Sequence, residues 1–166
     1  MEASRAEKGG RYVDFSRISP AELLGMAAAG LLVVSLFLPW FTTSATNSHS
    51  FVGGARGGDS ATAFDTFSTL QWLLIAAATA PFILTWIIAR GHTLTWRPGE
   101  VTMVVGMVAF VLILCNGVIL GRPGEQPDIG LDFGYFIALL AAAGMVVAGY
   151  LRQAVYTDAR KPPGVL

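Results

Sequence analysis

The chain has 166 residues, of which 54% are hydrophobic and 13% are charged, and its 11 basic and 11 acidic groups cancel. Soluble domains carry about 25% charged residues, and disordered chains combine low hydrophobicity with high net charge, so the composition excludes both classes and indicates a membrane protein. The zero net charge disfavours a nucleic-acid partner, and a single cysteine excludes an intrachain disulfide and a cysteine-based zinc site.

The distribution of apolar residues predicts four membrane-spanning helices. A helix needs roughly 20 mostly apolar residues to cross a hydrocarbon core about 30 Å thick. Four segments meet this requirement, at about 21–41, 69–89, 101–120 and 133–151. The expected fold is therefore an all-α membrane protein with a four-transmembrane-helix bundle. Its parts are an N-terminal tail at 1–19, a transmembrane domain at 20–151 with outer loops 42–68 and 121–132, and a C-terminal tail at 152–166.

Two proline-containing sequences predict where helices begin. Ser19 and Glu22 flank Pro20 in the pattern of a capping box, in which each side chain bonds a backbone N–H at the helix start. Pro98 and Glu100 mark the start of the third span in a similar way, with the proline early and the acid in the first turn. The inner connection between spans two and three is therefore a hairpin of about ten residues.

The positions of Lys and Arg predict the orientation of the chain. Nine of the 11 basic residues lie before span one, between spans two and three, or after span four, whereas the two outer loops hold two arginines and five acids. Because positive residues near span ends stay in the cytoplasm, both termini are expected to be cytoplasmic and the protein to lie in the plasma (cell inner) membrane. A cleaved signal peptide is the alternative for span one, but its apolar stretch exceeds the usual signal core of about 7 to 15 residues.

Aromatic and small residues predict how the spans meet lipid and one another. Trp40 and Trp72 on the outer side, and Trp86 and Trp96 on the inner side, are expected to anchor the helices at the headgroups. Small or weakly polar residues mark the faces where helix backbones approach closely, because lipid tails provide no hydrophobic drive for association. These expected packing residues are Gly25, Ala29, Ala76, Ala80, Gly106, Asn116, Gly117, Gly121, Gly134 and Ala138.

The sequence offers little chemistry for catalysis. His49 and His92 lie in loops predicted on opposite sides of the membrane, so they cannot share a site. Asn116 is the strongest polar group within a predicted span, and we expect it to hydrogen-bond across helices, with the lining of a pore or pocket as the alternative. We therefore predict no catalytic residue, no cofactor and no metal.

The end of the first outer loop is the best sequence candidate for a contact with a partner. Ala61, Phe64 and Phe67 recur at helical spacing, which indicates a short interfacial turn leading into span two. We interpret this turn as an extended helix start, with a partner-binding element as the alternative. Each outer loop ends in an acid followed by aromatic residues, just before an apolar span. The expected partner or ligand contacts are Phe64, Asp65, Phe67, Asn116 and Asp132.

Four spans, the outer end Leu38-Pro39-Trp40-Phe41 and a Ser/Thr/Gly-containing loop that ends Ala63-Phe64-Asp65-Thr66-Phe67 resemble small multi-pass membrane proteins of actinobacteria. Nine arginines to two lysines fit a GC-rich genome of that kind. The topology, with a longer first outer loop and a short second one, is also similar to that of claudin-like tetraspan proteins, although the outer-loop cysteine pair of claudins is absent. Neither resemblance implies catalytic residues.

These observations predict a non-enzymatic, multi-pass plasma-membrane protein that acts as an accessory or scaffold subunit. Its expected contacts are the lipid bilayer and either another membrane protein or further copies of itself. The alternative is a small oligomeric transporter or pore for an ion or small neutral solute. Asn116, Thr79 and a helix kink at Pro81 would then lie near its pathway.

Overall fold

The computed structural model describes residues 14–43, 60–92, 97, 99–119 and 129–159, and these are mostly helical. The helices are α1 (Pro20–Ser35), the single turn α2 (Ala63–Thr66), α3 (Leu70–Ala89), α4 (Glu100–Leu114) and α5 (Phe133–Ala159). A 3₁₀ turn, Phe15–Arg17, precedes α1, and a π-helical turn, Cys115–Ile119, extends α4. Three segments are long and apolar enough to cross a membrane: Leu70–Ala89, Glu100–Gly117 and Phe133–Val155. With 16 residues, α1 is shorter.

The predicted helix starts are confirmed at residues 19–22 and at Glu100, while Pro98 itself lies outside the described residues. Ser19 and Glu22 form the capping box of α1, in which the Ser19 side chain accepts from the Glu22 N–H and the Glu22 carboxylate accepts from the Ser19 N–H. α4 begins at Glu100, after Gly99, whose φ of +87° lies in the left-handed region that favours glycine. A Cβ at Gly99 would also collide with the carbonyl oxygen of Gly149 on α5.

The four long helices pack side by side in the cyclic order α1, α3, α4, α5. α4 and α5 also approach closely at Gly106, where an added Cβ would lie 2.9 Å from both the Met145 Cβ and the Val146 N. Leu32, Leu74 and Ile113 fill the centre of the ring and are fully buried. Small residues along the α4–α5 seam let the two backbones approach closely, as expected for helices that associate without a hydrophobic drive.

A three-stranded antiparallel sheet, which the sequence does not predict, covers the end of the helices where α1 ends and α5 begins. This end is called the outer end, after the orientation expected from the sequence. Strand β1 (Pro39–Thr42) lies between β2 (Ser60–Thr62) and β3 (Gly130–Leu131). Phe41 pairs with Ala61 on one side and with Leu131 on the other, so β1 joins both outer loops. Strands of two to four residues are too short to show a reliable period-two pattern, so an all-α fold was an incomplete prediction.

Two predicted span ends differ from the structure. α1 ends at Ser35 rather than near 41, because the chain turns through Leu36–Leu38 and becomes the extended strand β1. The indole Nε1 of Trp40 donates to the Ser35 carbonyl oxygen at 2.8 Å and so satisfies one of the acceptors left at the helix end. α5 starts at the predicted Phe133 but continues to Ala159 rather than ending near 151, and its extra turns contain the helix formers Arg152, Gln153 and Ala154.

The α4–α5 contact predicts a difference between two glycine substitutions. Gly106→Ala should lower the free energy of unfolding by about 1 to 3 kcal/mol, because the added methyl overpacks the contact with Met145 and Val146. Gly30→Ala on α1 is the matched control, since a Cβ there has no atom within 4 Å. Thermal unfolding of the detergent-solubilised variants measures both effects. Equal stability of the two variants would contradict the assigned contact.

Candidate functional site

Most of the predicted packing residues lie at helix contacts. Six of them are buried: Gly25, Ala29, Gly106, Gly117, Gly134 and Ala138. The prediction for Ala76 on α3 is wrong, because its side chain is exposed, whereas Ala80 is half-buried. The buried face of α3 instead runs through Leu74, Ala78 and Pro81, one stripe at helical spacing. Gly121 lies outside the described residues.

Asn116 lies in the π-helical turn that follows α4, and its Nδ2 donates to the Leu112 carbonyl oxygen at 2.8 Å. This bond stays within one helix, whereas we expected a bond across helices. The polar link from α4 to α5 is made instead by Tyr135, whose hydroxyl donates to the Ile113 carbonyl oxygen at 3.2 Å. A Cβ at Gly117 would collide with the Tyr135 ring, so the glycine makes room for this link.

Aromatic rings gather beneath the outer sheet. The ring of Trp40 contacts those of Phe67 and Tyr135 edge to face, with centroids 5.9 and 5.7 Å apart. The prediction of Trp40 as a headgroup anchor is wrong, because its side chain is fully buried in this cluster and bonded to the end of α1. The side chain of Trp72 is 61% exposed and that of Trp86 is 50% exposed. Trp96 lies outside the described residues.

The predicted outer contact residues hold local structure together. Asp65 and Thr62 form the capping box of α2, with the Asp65 Oδ2 accepting from the Thr62 N and Oγ1 at 3.0 and 2.7 Å. The Asp132 Oδ1 accepts from the Phe133 N at the start of α5. Phe64 is half-buried, with its ring 5.0 Å from that of Phe37. Within the described residues no three His, Cys, Asp or Glu side chains come together as a metal site.

The clearest site lies at the opposite end of the helices, where α1 and α4 begin and α3 and α5 end. A cavity of about 240 Å³, the inner cavity, opens there between all four helices. Gly25 forms part of its wall, and a Cβ on Gly25 would lie 3.5 Å from both Ala148 of α5 and Thr102 of α4 and 3.9 Å from Pro81 of α3. The small residues on α1 and α5 therefore leave the space that the cavity occupies.

A charged pair closes one side of the inner cavity. The Nε of Arg152 on α5 lies 2.9 Å from the Oε1 of Glu22 on α1, and the side chains are 21% and 9% exposed. Neither atom has a hydrogen-bond partner among the described residues, so the two are a close ion pair whose N–H does not point at the carboxylate oxygen. The other carboxylate oxygen of Glu22 caps α1, which holds the side chain in place.

Sequence reasoning missed this pair for an identifiable reason. Glu22 was explained by the capping box and Arg152 by the count of inner charges, and the two are 130 positions apart in the chain. The sequence signal for the pair is that each charge lies at the inner end of a span, where a charged side chain buried between helices requires a partner of opposite charge. Arg97 also lines the inner cavity; it is exposed and has no ion pair within the part of the chain that the structure describes.

Arg17 and Arg90, the other basic residues that the structure describes at this end of the helices, do not line the inner cavity. The guanidinium of Arg90 lies over the Trp86 ring, 4.8 Å from its centroid. Arg17 pairs with Asp14 at 3.4 Å on the surface. Hydrogen bonds from Ser16 and the nearby Arg17 hold the pKa of Asp14 below its usual value. Arg97 and Arg152 are thus distinguished from their neighbours by the cavity that they share.

Comparisons with known proteins add no relative. No protein-family model, no curated protein and no solved structure matches the chain.

The capping box of α2 predicts a dependence of stability on pH. The hydrogen bonds from the Thr62 side chain and backbone hold the pKa of Asp65 below its usual value. The contribution of ionised Asp65 to stability is therefore complete above the unfolded-state pKa of about 3.9 and is lost as pH falls through the lower folded-state pKa. The unfolding temperature of the wild type should exceed that of Asp65→Ala at neutral pH, and the difference should shrink below pH of about 4.

Thr62→Val is the matched background for that measurement. It removes the hydroxyl that donates to Asp65 and leaves the backbone N–H, so Asp65→Ala should cost less stability in this background. A difference between wild type and Asp65→Ala that stays constant from neutral to acid pH would contradict the ionised cap.

Proposed function

We propose that the chain is a four-span integral protein of the plasma membrane that acts as a non-enzymatic accessory or scaffold subunit. One observation carries the membrane assignment: all four long helices direct large apolar side chains outward, including Val34, Ile83, Val108 and Leu140, each 52% to 68% exposed. Small residues such as Gly106 lie inside. A water-soluble protein rarely exposes so much continuous apolar surface, whereas lipid is a suitable solvent for it.

The shorter α1 is proposed as the fourth span. Beyond Ser35 the backbone continues with 3₁₀-type bonds, from the N–H groups of Leu36, Phe37 and Leu38 to carbonyl oxygens three residues earlier. A helical rod from Pro20 to Leu38 is about 30 Å long, which matches the hydrocarbon thickness. The exposed Leu31 and Phe37 lie on this rod. Its length and its apolar surface both support a span.

The proposed orientation places both termini in the cytoplasm. Its support is the distribution of positive charge, because nine of the 11 Lys and Arg residues fall in the tails and in the connection between α3 and α4. The inner cavity then lies at the cytoplasmic leaflet, and the sheet faces outward.

A scaffold role is favoured by a filled interior. Leu32, Leu36, Leu74, Ile113 and Met145 occupy the centre of the four helices and are fully buried. A single chain built in this way is suited to presenting its outer surface to another membrane protein rather than to conducting a solute. The two histidines, in loops on opposite sides of the proposed membrane, support a non-enzymatic role.

An oligomeric pore is the second candidate, and the position of Thr79 is the observation in its favour. Thr79 is exposed on α3 beside the exposed Ala76, and its hydroxyl donates to the Ala76 carbonyl oxygen. A weakly polar strip on an outward face suits a pathway between several copies of the chain. Such a pathway would lie outside the filled centre of each copy.

Native mass spectrometry of the tagged protein, extracted gently from its host membrane at near-native expression, tests the proposed role. The scaffold proposal predicts a second membrane protein at fixed stoichiometry. Exposed rings of Phe37 and Trp72 flank Phe64 near the outer sheet, and Phe37→Ala should reduce recovery of that protein. Phe82→Ala removes an exposed ring elsewhere on α3 and is the control. A lone chain would contradict the scaffold, and a defined homo-oligomer would favour the pore.

A further inference from the structure

The inner cavity holds hydrogen-bond donors that the described residues leave without acceptors. A guanidinium has five N–H donors, yet within the described part of the chain Arg152 makes one close polar contact, to Glu22, without hydrogen-bond geometry at its Nε. Burying a donor without an acceptor is costly. Arg97 brings a second guanidinium with no ion pair in the described part of the chain to the same cavity. The two side chains therefore suit an additional anionic acceptor.

The charge balance of the cavity wall defines that acceptor further. Arg97 and Arg152 contribute two positive charges and Glu22 one negative charge, which leaves an excess of one positive charge. A phosphodiester carries one negative charge and several acceptor oxygens, and planar guanidinium groups bind phosphate oxygens in pairs. The bond from the Ser19 N–H fixes the Glu22 carboxylate beside Arg152. Glu22 therefore orients Arg152, and its single charge does not neutralise both arginines.

The rest of the wall suits the apolar part of an amphiphile. Pro81, Leu84 and Ile88 of α3 line the cavity beside the charged groups. A cavity of about 240 Å³ lies below the roughly 300 to 1,000 Å³ of pockets that enclose a whole drug-sized ligand, so it suits a headgroup and leaves the acyl chains outside. Exposed apolar side chains on the same helical turns, such as Leu24 and Leu151, offer a surface for the chains.

We propose that the inner cavity binds the phosphodiester headgroup of an anionic membrane lipid, with Arg97 and Arg152 donating to the phosphate and Glu22 positioning Arg152. The site rests on the membrane placement proposed above and on no partner protein. Basic pockets between membrane helices on the cytoplasmic side are suited to anionic headgroups, because that leaflet is rich in them. The bound lipid contacts α1, α3, α4 and α5 in the inner cavity and so links the four helices at this end.

Lipid titration of the purified, detergent-solubilised protein, read as adducts by native mass spectrometry, tests this site. Phosphatidylglycerol should bind as one tight equivalent, at least about tenfold more tightly than phosphatidylcholine with the same acyl chains. Arg97→Gln should weaken that equivalent about tenfold, since it removes a charged donor without breaking an ion pair. Arg90→Gln removes a positive charge at the same end but outside the cavity, and it should leave the affinity unchanged.

Arg152 requires a paired substitution, because Arg152→Gln alone leaves Glu22 buried without its partner and can unfold the protein. The double variant Glu22→Gln with Arg152→Gln removes one charge of each sign and leaves the net charge of the cavity wall unchanged, so it should fold and lose the tight equivalent. Equal losses in Arg90→Gln and Arg97→Gln, or equal binding of the two lipids, would overturn the site. If glycerol 3-phosphate bound as tightly as the lipid, the ligand of the cavity would be a soluble phosphate ester, and the proposed lipid site would be overturned. None of these readouts depends on a scaffold partner.

Discussion

The close approach of α4 and α5 is the contact on which the other features depend. At Gly106 the two backbones leave no room for a methyl group. Near the inner end, a Cβ on Gly149 would lie 2.5 Å from the Gly99 carbonyl oxygen. In lipid, such contact between backbones supplies the dispersion energy that a hydrophobic core supplies in water. Many large apolar side chains consequently point outward from the helices, while the interior combines small residues with leucine, isoleucine and methionine side chains at the centre and aromatic rings at the end covered by the sheet.

The same constraint shapes both ends of the helices. At the inner end, Gly99 and Gly149 allow the start of α4 to contact α5 directly. Because Gly25 on α1 has no side chain, a cavity remains beside Arg152. At the outer end, a Cβ on Gly134 would lie 2.5 Å from the Pro39 carbonyl oxygen, so α5 can pass directly beneath strand β1. One end is therefore closed by a sheet and aromatic rings, and the other is open to a ligand with anionic and apolar parts.

How far the sequence predicts this structure depends on the range of each interaction. The apolar lengths predict α3 and the start of α5 closely, and the capping pattern at Ser19 and Glu22 is confirmed, because these are local signals. The sheet, the burial of Trp40 and the Glu22–Arg152 pair depend on contacts between distant segments, which a single sequence does not specify. Ala76 shows a further limit: a small residue marks a packing face only if the helix is rotated to present it.

Three helical segments reach full membrane length, and the shorter α1 is the proposed fourth span. Single cysteines introduced by Ala3→Cys, Ser48→Cys or Val165→Cys into a Cys115→Ser background, treated with a membrane-impermeant maleimide, test it directly. Four spans predict labelling of Ser48→Cys in intact cells, and of Ala3→Cys and Val165→Cys only after the membrane is opened. Labelling of one terminal cysteine but not the other in intact cells would require an odd number of spans and would contradict the four-span topology.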